Sequence, residues 1–352
     1  MNLPEINKIH QGDVLEVLRT WPDNFVQTVV TSPPYWGLRD YGVEGQIGLE
    51  KTPEKYVAKI VAVFREVRRV LRIDGILWIN LGDSFCSSGK GGYDRDRPGV
   101  SKNRGNNASD FHSAPNRMDL PGIKNKDLVG IPWMVAFALR ADGWYLRSDI
   151  IWAKKNCMPE SVTDRPTRSH EYIFLLAKFP KYFYDSDAIK EPAIYMEDDR
   201  KSRATDNKKC APTLKHNGIR PLYKDAKSYD GKNGDKQRGH GRRHAGFNAR
   251  WDAMDKKEQC GAMRNKRSVW SVATHPFAEA HFATFPEKLI EPCILAGCPE
   301  KGLVLDPFMG AGTTALVSSR LNRNFIGIEL NPRYIEMAEK RIRSELAQGK
   351  FA

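Results

Sequence analysis

The pattern of apolar residues predicts an α/β protein with a mostly parallel sheet and helices on both faces. Three observations carry that expectation. Val26-Gln27-Thr28-Val29-Val30 and Ile76-Leu77-Trp78-Ile79-Asn80-Leu81 read as strands buried on both faces. Between them Tyr56, Val57, Ile60, Phe64, Val67 and Leu71 recur at three- and four-residue spacing, the stripe of a helix packed on a sheet. Strand, long crossover helix and strand make a parallel unit. Near the end of the chain a strand ending at Asp306, a glycine-rich loop, a helix and a strand ending at Glu329 repeat the pattern.

The remaining elements follow in order. Ile6 to Leu18 holds a short strand ending at Gly12-Asp13 and a helix from Val14, where Asp13 can either cap the helix or reach a ligand above the sheet. Thr52-Pro53-Glu54 starts the crossover helix with a capping hydroxyl, proline at the first helical position and an acid in the first turn. Asp74-Gly75 is read as its end. Ile131-Pro132-Trp133 opens a helix running to Arg140. Leu146 to Trp152 and Glu171 to Leu176 read as further strands, joined by a polar loop containing Lys154, Lys155, Arg165, Arg168 and His170. His170 can serve as a general base, or it can position the loop or contact phosphate. Asn331-Pro332 caps a last helix with Tyr334, Ile335, Ala338 and Ile342 facing inward.

At 352 residues, one large core with an insertion or two domains is expected. We divide the chain into 1–185 and 269–352, two parts of one domain, and a basic insertion at 186–268. Residues 87–127 are nearly devoid of apolar side chains and are expected to form a long mobile loop. No apolar run approaches the roughly 20 residues of a membrane span, and Met1-Asn2-Leu3-Pro4-Glu5 does not read as a signal peptide. A cytoplasmic protein is expected.

The formal charge is +13, which points to a polyanionic partner. Lys201 to Trp270 carries 19 Lys and Arg against 7 Asp and Glu, so nearly all the excess lies there. Arg220, Arg238, Arg242, Arg243 and Arg250 are interleaved with Tyr223, Tyr229, Phe247 and Trp251, a composition suited to phosphate neutralisation and base contacts. A solvated charged linker is the alternative. The six cysteines form no Cys-x-x-Cys pair, so neither a zinc site nor a disulfide framework is expected. Cys293 follows a proline but sits in a helix-like apolar run and is read as structural.

Two stretches remain. Thr31-Ser32-Pro33-Pro34-Tyr35-Trp36 ends a buried strand with two prolines, which lack N–H and hold φ near about −65°. Rigid carbonyl acceptors and aromatic faces thereby come together at the carboxyl edge of the sheet, where ligands bind in open α/β folds. A proline-rich turn over two packed aromatics explains the same residues. Gly310-Ala311-Gly312-Thr313-Thr314-Ala315 fits the dinucleotide fingerprint, with Glu329 as the ribose acid. Asp306 would put charge near a pyrophosphate, however, and no second mononucleotide half follows. A ligand bearing an ammonium group, a carboxylate and a ribose suits the parts better, with Asp306 facing the positive end and Glu329 taking the ribose hydroxyls. S-adenosyl-L-methionine is such a ligand.

Together, Thr31-Ser32-Pro33-Pro34-Tyr35-Trp36 and Asp306-Pro307-Phe308-Met309-Gly310-Ala311-Gly312 resemble the catalytic and cofactor motifs of the amino-group DNA methyltransferases. Their order, with the basic insertion between, resembles the permuted β group. The resemblance implies a seven-stranded methyltransferase sheet, S-adenosyl-L-methionine as cofactor, and double-stranded DNA with a flipped target base as substrate. It implies that Ser32, Pro33, Pro34 and Tyr35 are catalytic. Asp306, Phe308, Gly310, Gly312, Thr313 and Glu329 would bind cofactor, and Asp13 would approach its adenine. Ser at the first catalytic position implies cytosine N4, where Asp would imply adenine N6. A restriction endonuclease of the same specificity is a partner the resemblance allows. An adenine-N6 methyltransferase of the same family is the nearer alternative, and a NAD-linked oxidoreductase and a non-catalytic DNA-binding protein are the alternatives from other classes.

Overall fold

The computed structural model describes residues 3–38, 40–86, 122–192, 263–274 and 285–347. In chain order the elements are β1 (Lys8–Gln11), α1 (Val14–Arg19), β2 (Val26–Thr31), α2 (Pro53–Val70), β3 (Leu71–Leu81) and α3 (Ile131–Ala141). Then come β4 (Tyr145–Lys154), β5 (His170–Ala177), β6 (Glu191–Pro192), β7 (Met263–Arg264) and β8 (Val269–Val272). The chain continues with α4 (Glu287–Gly297), β9 (Leu303–Asp306), α5 (Thr313–Arg320), β10 (Asn324–Glu329) and α6 (Pro332–Ala347). The chain divides into two units, Met1–Ile189 with Lys266–Ala352, and Lys190–Asn265. In the second unit β6 and β7 pair antiparallel, and Arg264 Nε lies 3.0 Å from Glu191 Oε1.

The larger unit holds one sheet in the order β1-β10-β9-β2-β3-β5-β4-β8. Only β5 runs against its neighbours. The sheet has eight strands where seven were expected. The additional one is β8, which pairs parallel with β4 from Ile151 opposite Val269 to Lys154 opposite Val272. Four residues are too few for periodicity to distinguish a strand from a loop. Trp270 nevertheless fixes it, packing its ring 6.3 Å from that of Trp78.

The two-residue period of the central strands divides their side chains between two cores. Leu77, Ile79 and Leu81 of β3 and Phe174 and Leu176 of β5 pack with α1, α2 and α3. Ile76, Trp78, Ile173 and Leu175 pack on the other face with α4. A third cluster joins Ile9, Phe325, Ala338 and Ile342, closing α6 over the β1 side of the sheet.

The crossover from α2 differs from its expected form. The helix stops at Val70 and strand pairing begins at Leu71, ahead of Asp74-Gly75. Val26 pairs with Leu71 and Thr28 with Ile76, so residues 72–75 are extruded between two paired positions. A Cβ on Gly75 would lie 2.6 Å from the Leu71 side chain and 2.9 Å from the Gln27 carbonyl, which is why glycine ends this bulge. Lys178 anchors the junction, donating to Asn24 Oδ1 and to the Leu71 carbonyl at 2.7 and 2.6 Å.

Most of the proposed mobile loop 87–127 lies outside the described residues. Its last residues are tied to the sheet edge, where Lys126 N–H donates to the Cys86 carbonyl and Cys86 N–H to that of Asp127. Arg220, Arg238, Arg242, Arg243, Arg250 and the aromatics interleaved with them also lie outside. Among the described residues no helix is long and apolar enough to cross a membrane. Cys293 is buried in α4, where desolvation raises its thiol pKa.

Candidate active site

The two stretches singled out in the sequence lie side by side. β2 pairs with β9 in parallel, Thr28 opposite Val304 and Val29 opposite Leu305, so Thr31 and Asp306 finish adjacent strands at the same edge. From β2 the chain crosses through α2 to β3 on one side. From β9 it crosses through α5 to β10 on the other. The gap between β2 and β9 is therefore the point where the winding of the sheet reverses, and ligands bind outside the carboxyl ends of strands at such a point.

Asp306 joins the two halves. It is 1% exposed. Its Oδ1 accepts from Thr31 Oγ1 at 2.6 Å and from Phe308 N–H at 3.0 Å, and its Oδ2 accepts from Thr314 Oγ1 at 2.7 Å. Burial pushes this carboxyl up to about 6, although the three donors oppose the rise. The carboxylate lies among hydrogen-bond donors from β2, the loop and α5, and fastens the loop to both elements.

The loop reaches across to Glu329 at the end of β10. Gly310 N–H donates to Glu329 Oε2 at 2.8 Å, and Asn331 N–H donates to Oε1 at 2.9 Å. Each carboxylate oxygen can accept about two hydrogen bonds, and with Leu330 N–H also acting on the group it keeps some acceptor capacity on a half-buried side chain. Burial raises the Glu329 pKa against these backbone donors. Gly310 and Gly312 both have positive φ, +51° and +76°. At Gly312 a Cβ would also lie 2.8 Å from the Cβ of Ala338, so glycine serves close packing of the loop on α6 as well. Thr313 is buried and accepts from Arg341 Nη1 at 3.0 Å. Phe308 packs against the core beneath α1 to α3.

Asp13, at the far side of this row, caps α1, its Oδ1 accepting from Leu15 and Glu16 N–H at 2.9 and 3.1 Å. It shares the same sheet edge, since β1 pairs with β10 from Lys8 opposite Ile326 to Gln11 opposite Glu329.

On the other side of Asp306, the Ser32-Pro33-Pro34-Tyr35 turn is braced by its neighbours. The Pro34 carbonyl accepts from Tyr56 Oη of α2 at 2.8 Å. The Trp36 ring is buried, and its Nε1 donates to the Glu50 carbonyl at 2.8 Å. A Cβ on Gly82 would fall 2.5 Å from the Tyr35 ring, so a bare backbone there makes room for that ring at the end of β3. Ser32 Oγ donates toward Tyr35 Oη at 3.3 Å and Asn80 Oδ1 at 3.5 Å. Tyr35 Oη lies 3.0 Å from Asn80 Oδ1 and donates to Glu171 Oε2 at 2.8 Å. Glu171 is paired in turn with Lys154 of β4. Asn80 Nδ2 donates to the Tyr172 carbonyl at 3.1 Å, which fixes its oxygen toward Ser32. Burial first, and the Glu171 charge second, hold the Tyr35 phenol well above its ordinary value.

His170, weighed as a base, is adjacent to Glu171 on β5 and therefore faces the opposite side of the sheet. Its Nε2 lies 3.4 Å from Tyr172 Oη, and burial lowers its pKa.

A family model described as DNA methylase, that of the N6 and N4 methyltransferases, matches residues 26–340. The chain belongs to the DNA methylase family. Two relatives are similar over nearly their whole lengths. The Type II methyltransferase M.XycI of Xanthomonas campestris pv. cyanopsidis is 43% identical over 342 residues, 96% of this chain and 88% of that protein. M.SmaI of Serratia marcescens is 43% identical over 335 residues, 95% and 90% of the two chains. Among solved structures, TTHA0409 of Thermus thermophilus in complex with S-adenosyl-L-methionine is similar with a TM-score of 0.51 at 22% identity, covering 96% and 95%. The PvuII DNA methyltransferase described as cytosine-N4-specific gives 0.51 at 17% identity, covering 99% and 94%. These structural likenesses establish the α/β fold of this methylase.

Three residues of this site are not picked out by sequence reasoning. Asn80 sits inside an apolar strand, and a lone amide near the end of a run buried on both faces is its only signal. His170 draws the attention that belongs to its neighbour Glu171. Lys154 ends β4, although the sequence assigns it to the following loop.

Proposed function

We propose that this DNA methyltransferase is a sequence-specific enzyme that modifies the exocyclic N4 of cytosine in a flipped-out base, and that it belongs to the permuted group with the Ser-Pro-Pro-Tyr motif. The observation that carries the reading is the Thr31–Asp306 hydrogen bond, which fixes the acceptor turn beside the glycine loop on adjacent strands.

The residues around the loop fit S-adenosyl-L-methionine. Glu329 retains acceptor capacity for a ribose hydroxyl, and the glycines leave the loop bare. Glu329, Phe308, Gly310 and Gly312 would hold it, with Asp13 nearest the adenine. Asp306 and Thr313 would act by keeping the loop in place. Bound there, the cofactor supplies an electrophilic methyl group.

An exocyclic base amine is a poor nucleophile because its lone pair is delocalised into the ring. Ser32 directs its own proton toward Tyr35 and Asn80, so the remaining lone pairs of Oγ are available to one amine N–H. The Pro33 carbonyl, held between two rigid pyrrolidines, can take the second. Hydrogen bonds that strengthen as positive charge develops on the nitrogen lower the barrier. The Tyr35 ring would stack on the extruded base, offsetting an unstacking cost of a few kcal/mol.

The basic segment 186–268, including Arg220, Arg238, Arg242, Arg243 and Arg250, is assigned to DNA binding and target recognition. A restriction endonuclease of matching specificity is the expected partner, since M.XycI and M.SmaI are named as Type II enzymes. Ser32 in place of an acid supports cytosine. Mass spectrometry of nucleosides from DNA treated with the protein tests this. N4-methylcytosine is expected, whereas N6-methyladenine alone would overturn the base assignment.

A further inference from the structure

Methylating an amine creates a disposal problem for one proton. As the N–C bond forms and the S–C bond of the cofactor breaks, the sulfur becomes neutral and the nitrogen carries one hydrogen more than the product amine keeps. The residues around Ser32 include a route for it. Resting on the reading above, we propose that Glu171 receives this proton through the hydroxyls of Ser32 and Tyr35, and that Lys154 holds Glu171 in place to do so.

The geometry carries the assignment. From Ser32 Oγ the hydroxyl chain runs 3.3 Å to Tyr35 Oη and 2.8 Å to Glu171 Oε2. Hydrogen bonds in a substrate-free site are often long and tighten in the reacting complex. Of the groups joined to Ser32, Asn80 has no basic atom and Tyr35 is a phenol held protonated, so Glu171 is the acceptor at the end of the chain. Its other oxygen binds Lys154, whose ammonium also lies 4.8 Å from the Trp152 ring centre. The Glu171 and Lys154 side chains are 15% and 22% exposed, enclosed enough to be held and open enough to return a proton to solvent. The transfer balances. The amine proton passes to Ser32 Oγ as the Ser32 proton passes to Tyr35 Oη and the Tyr35 proton to Glu171 Oε2, leaving both hydroxyls restored and one neutral carboxyl.

Glu171 is thus a positioning residue that acts through Tyr35. It is distinguished from a structural one by Glu171→Gln, which keeps the shape but cannot take the proton. Binding of DNA and of S-adenosyl-L-homocysteine should stay within threefold of the parent. The single-turnover methyl-transfer rate should fall at least tenfold. Tyr35→Phe should fall similarly, and the double variant should be no slower than the slower single one, because both cut the same chain. In the protein without ligands, the ¹³Cζ resonance of Tyr35 should move in Glu171→Gln as its carboxylate partner is removed. Lys154→Gln provides the folding control, with binding retained and a smaller rate loss. The proposal is overturned if Glu171→Gln transfers within twofold of the parent, if the two rate losses multiply, or if the Tyr35 resonance does not move. Failure of the parent protein to methylate DNA would instead remove the functional reading on which the proposal rests.

Discussion

Alanine at position 312 would place a methyl group 2.8 Å from the Ala338 Cβ on a backbone with φ of +76°. Two costs then add. A left-handed conformation costs a non-glycine residue about 1–2 kcal/mol, and forcing a methyl into a packed contact costs about 1–3 kcal/mol more. Gly312→Ala should therefore lower stability by about 2–5 kcal/mol. Gly310→Ala is the internal reference, because its φ is +51° and a Cβ there meets nothing nearer than the Phe308 carbonyl at 4.0 Å. It should lose only the conformational part, about 1–2 kcal/mol. Ala338→Gly in the Gly312→Ala background should recover only part of the packing loss, since the Ala338 Cα stays 3.2 Å from the added methyl, less about 1 kcal/mol for glycine within a helix. Urea unfolding of the four proteins, with slopes compared alongside midpoints, measures all of these. Equal losses at the two glycines, or no recovery on trimming Ala338, would refute the account of why the loop needs its second glycine.

Two further outcomes are expected. The Asp306 carboxyl titrates at about 6 in the fold against an ordinary 3.8, so folding takes up a proton between roughly pH 4 and 6 and this group favours the folded state more as pH falls through that window. The stability difference between the parent and Asp306→Asn should slope by about 3 kcal/mol across the window and be flat above pH 7; a difference flat throughout would contradict the buried, ionised carboxylate. Neutralising Arg238, Arg242 and Arg243 should weaken DNA binding and reduce its salt slope by roughly 0.9 for each phosphate no longer neutralised, and an unchanged slope would place the DNA elsewhere.

Much of this architecture is legible because the central strands announce themselves twice, by an apolar run and by what ends it. Asp306 and Glu329 end their strands at the expected places, and Thr52-Pro53 starts its helix as read. The adjacency of β2 and β9 is not legible, since 275 residues separate Thr31 from Asp306 and no local signal encodes strand order. For the same reason the sequence alone points Asp306 at a ligand, when its strand neighbour supplies the hydroxyl that encloses it. The network behind Ser32 is hidden differently. Asn80 and Glu171 sit on central strands whose apolar neighbours dominate any window, and only the antiparallel pairing of β3 with β5 brings them to Tyr35. Bulges such as residues 72–75 are decided by register, which depends on the partner strand.

The central claim is that the Ser32 turn and the loop from Asp306 to Glu329 form one centre with divided tasks. Calorimetry of S-adenosyl-L-methionine binding and single-turnover methyl transfer to DNA, measured on Ser32→Ala and Glu329→Ala, test it together. Ser32→Ala should bind the cofactor like the parent and lose at least a hundredfold in transfer rate, while Glu329→Ala should lose the binding itself. Transfer by Ser32→Ala at the parent rate, or undiminished cofactor binding by Glu329→Ala, would contradict that division.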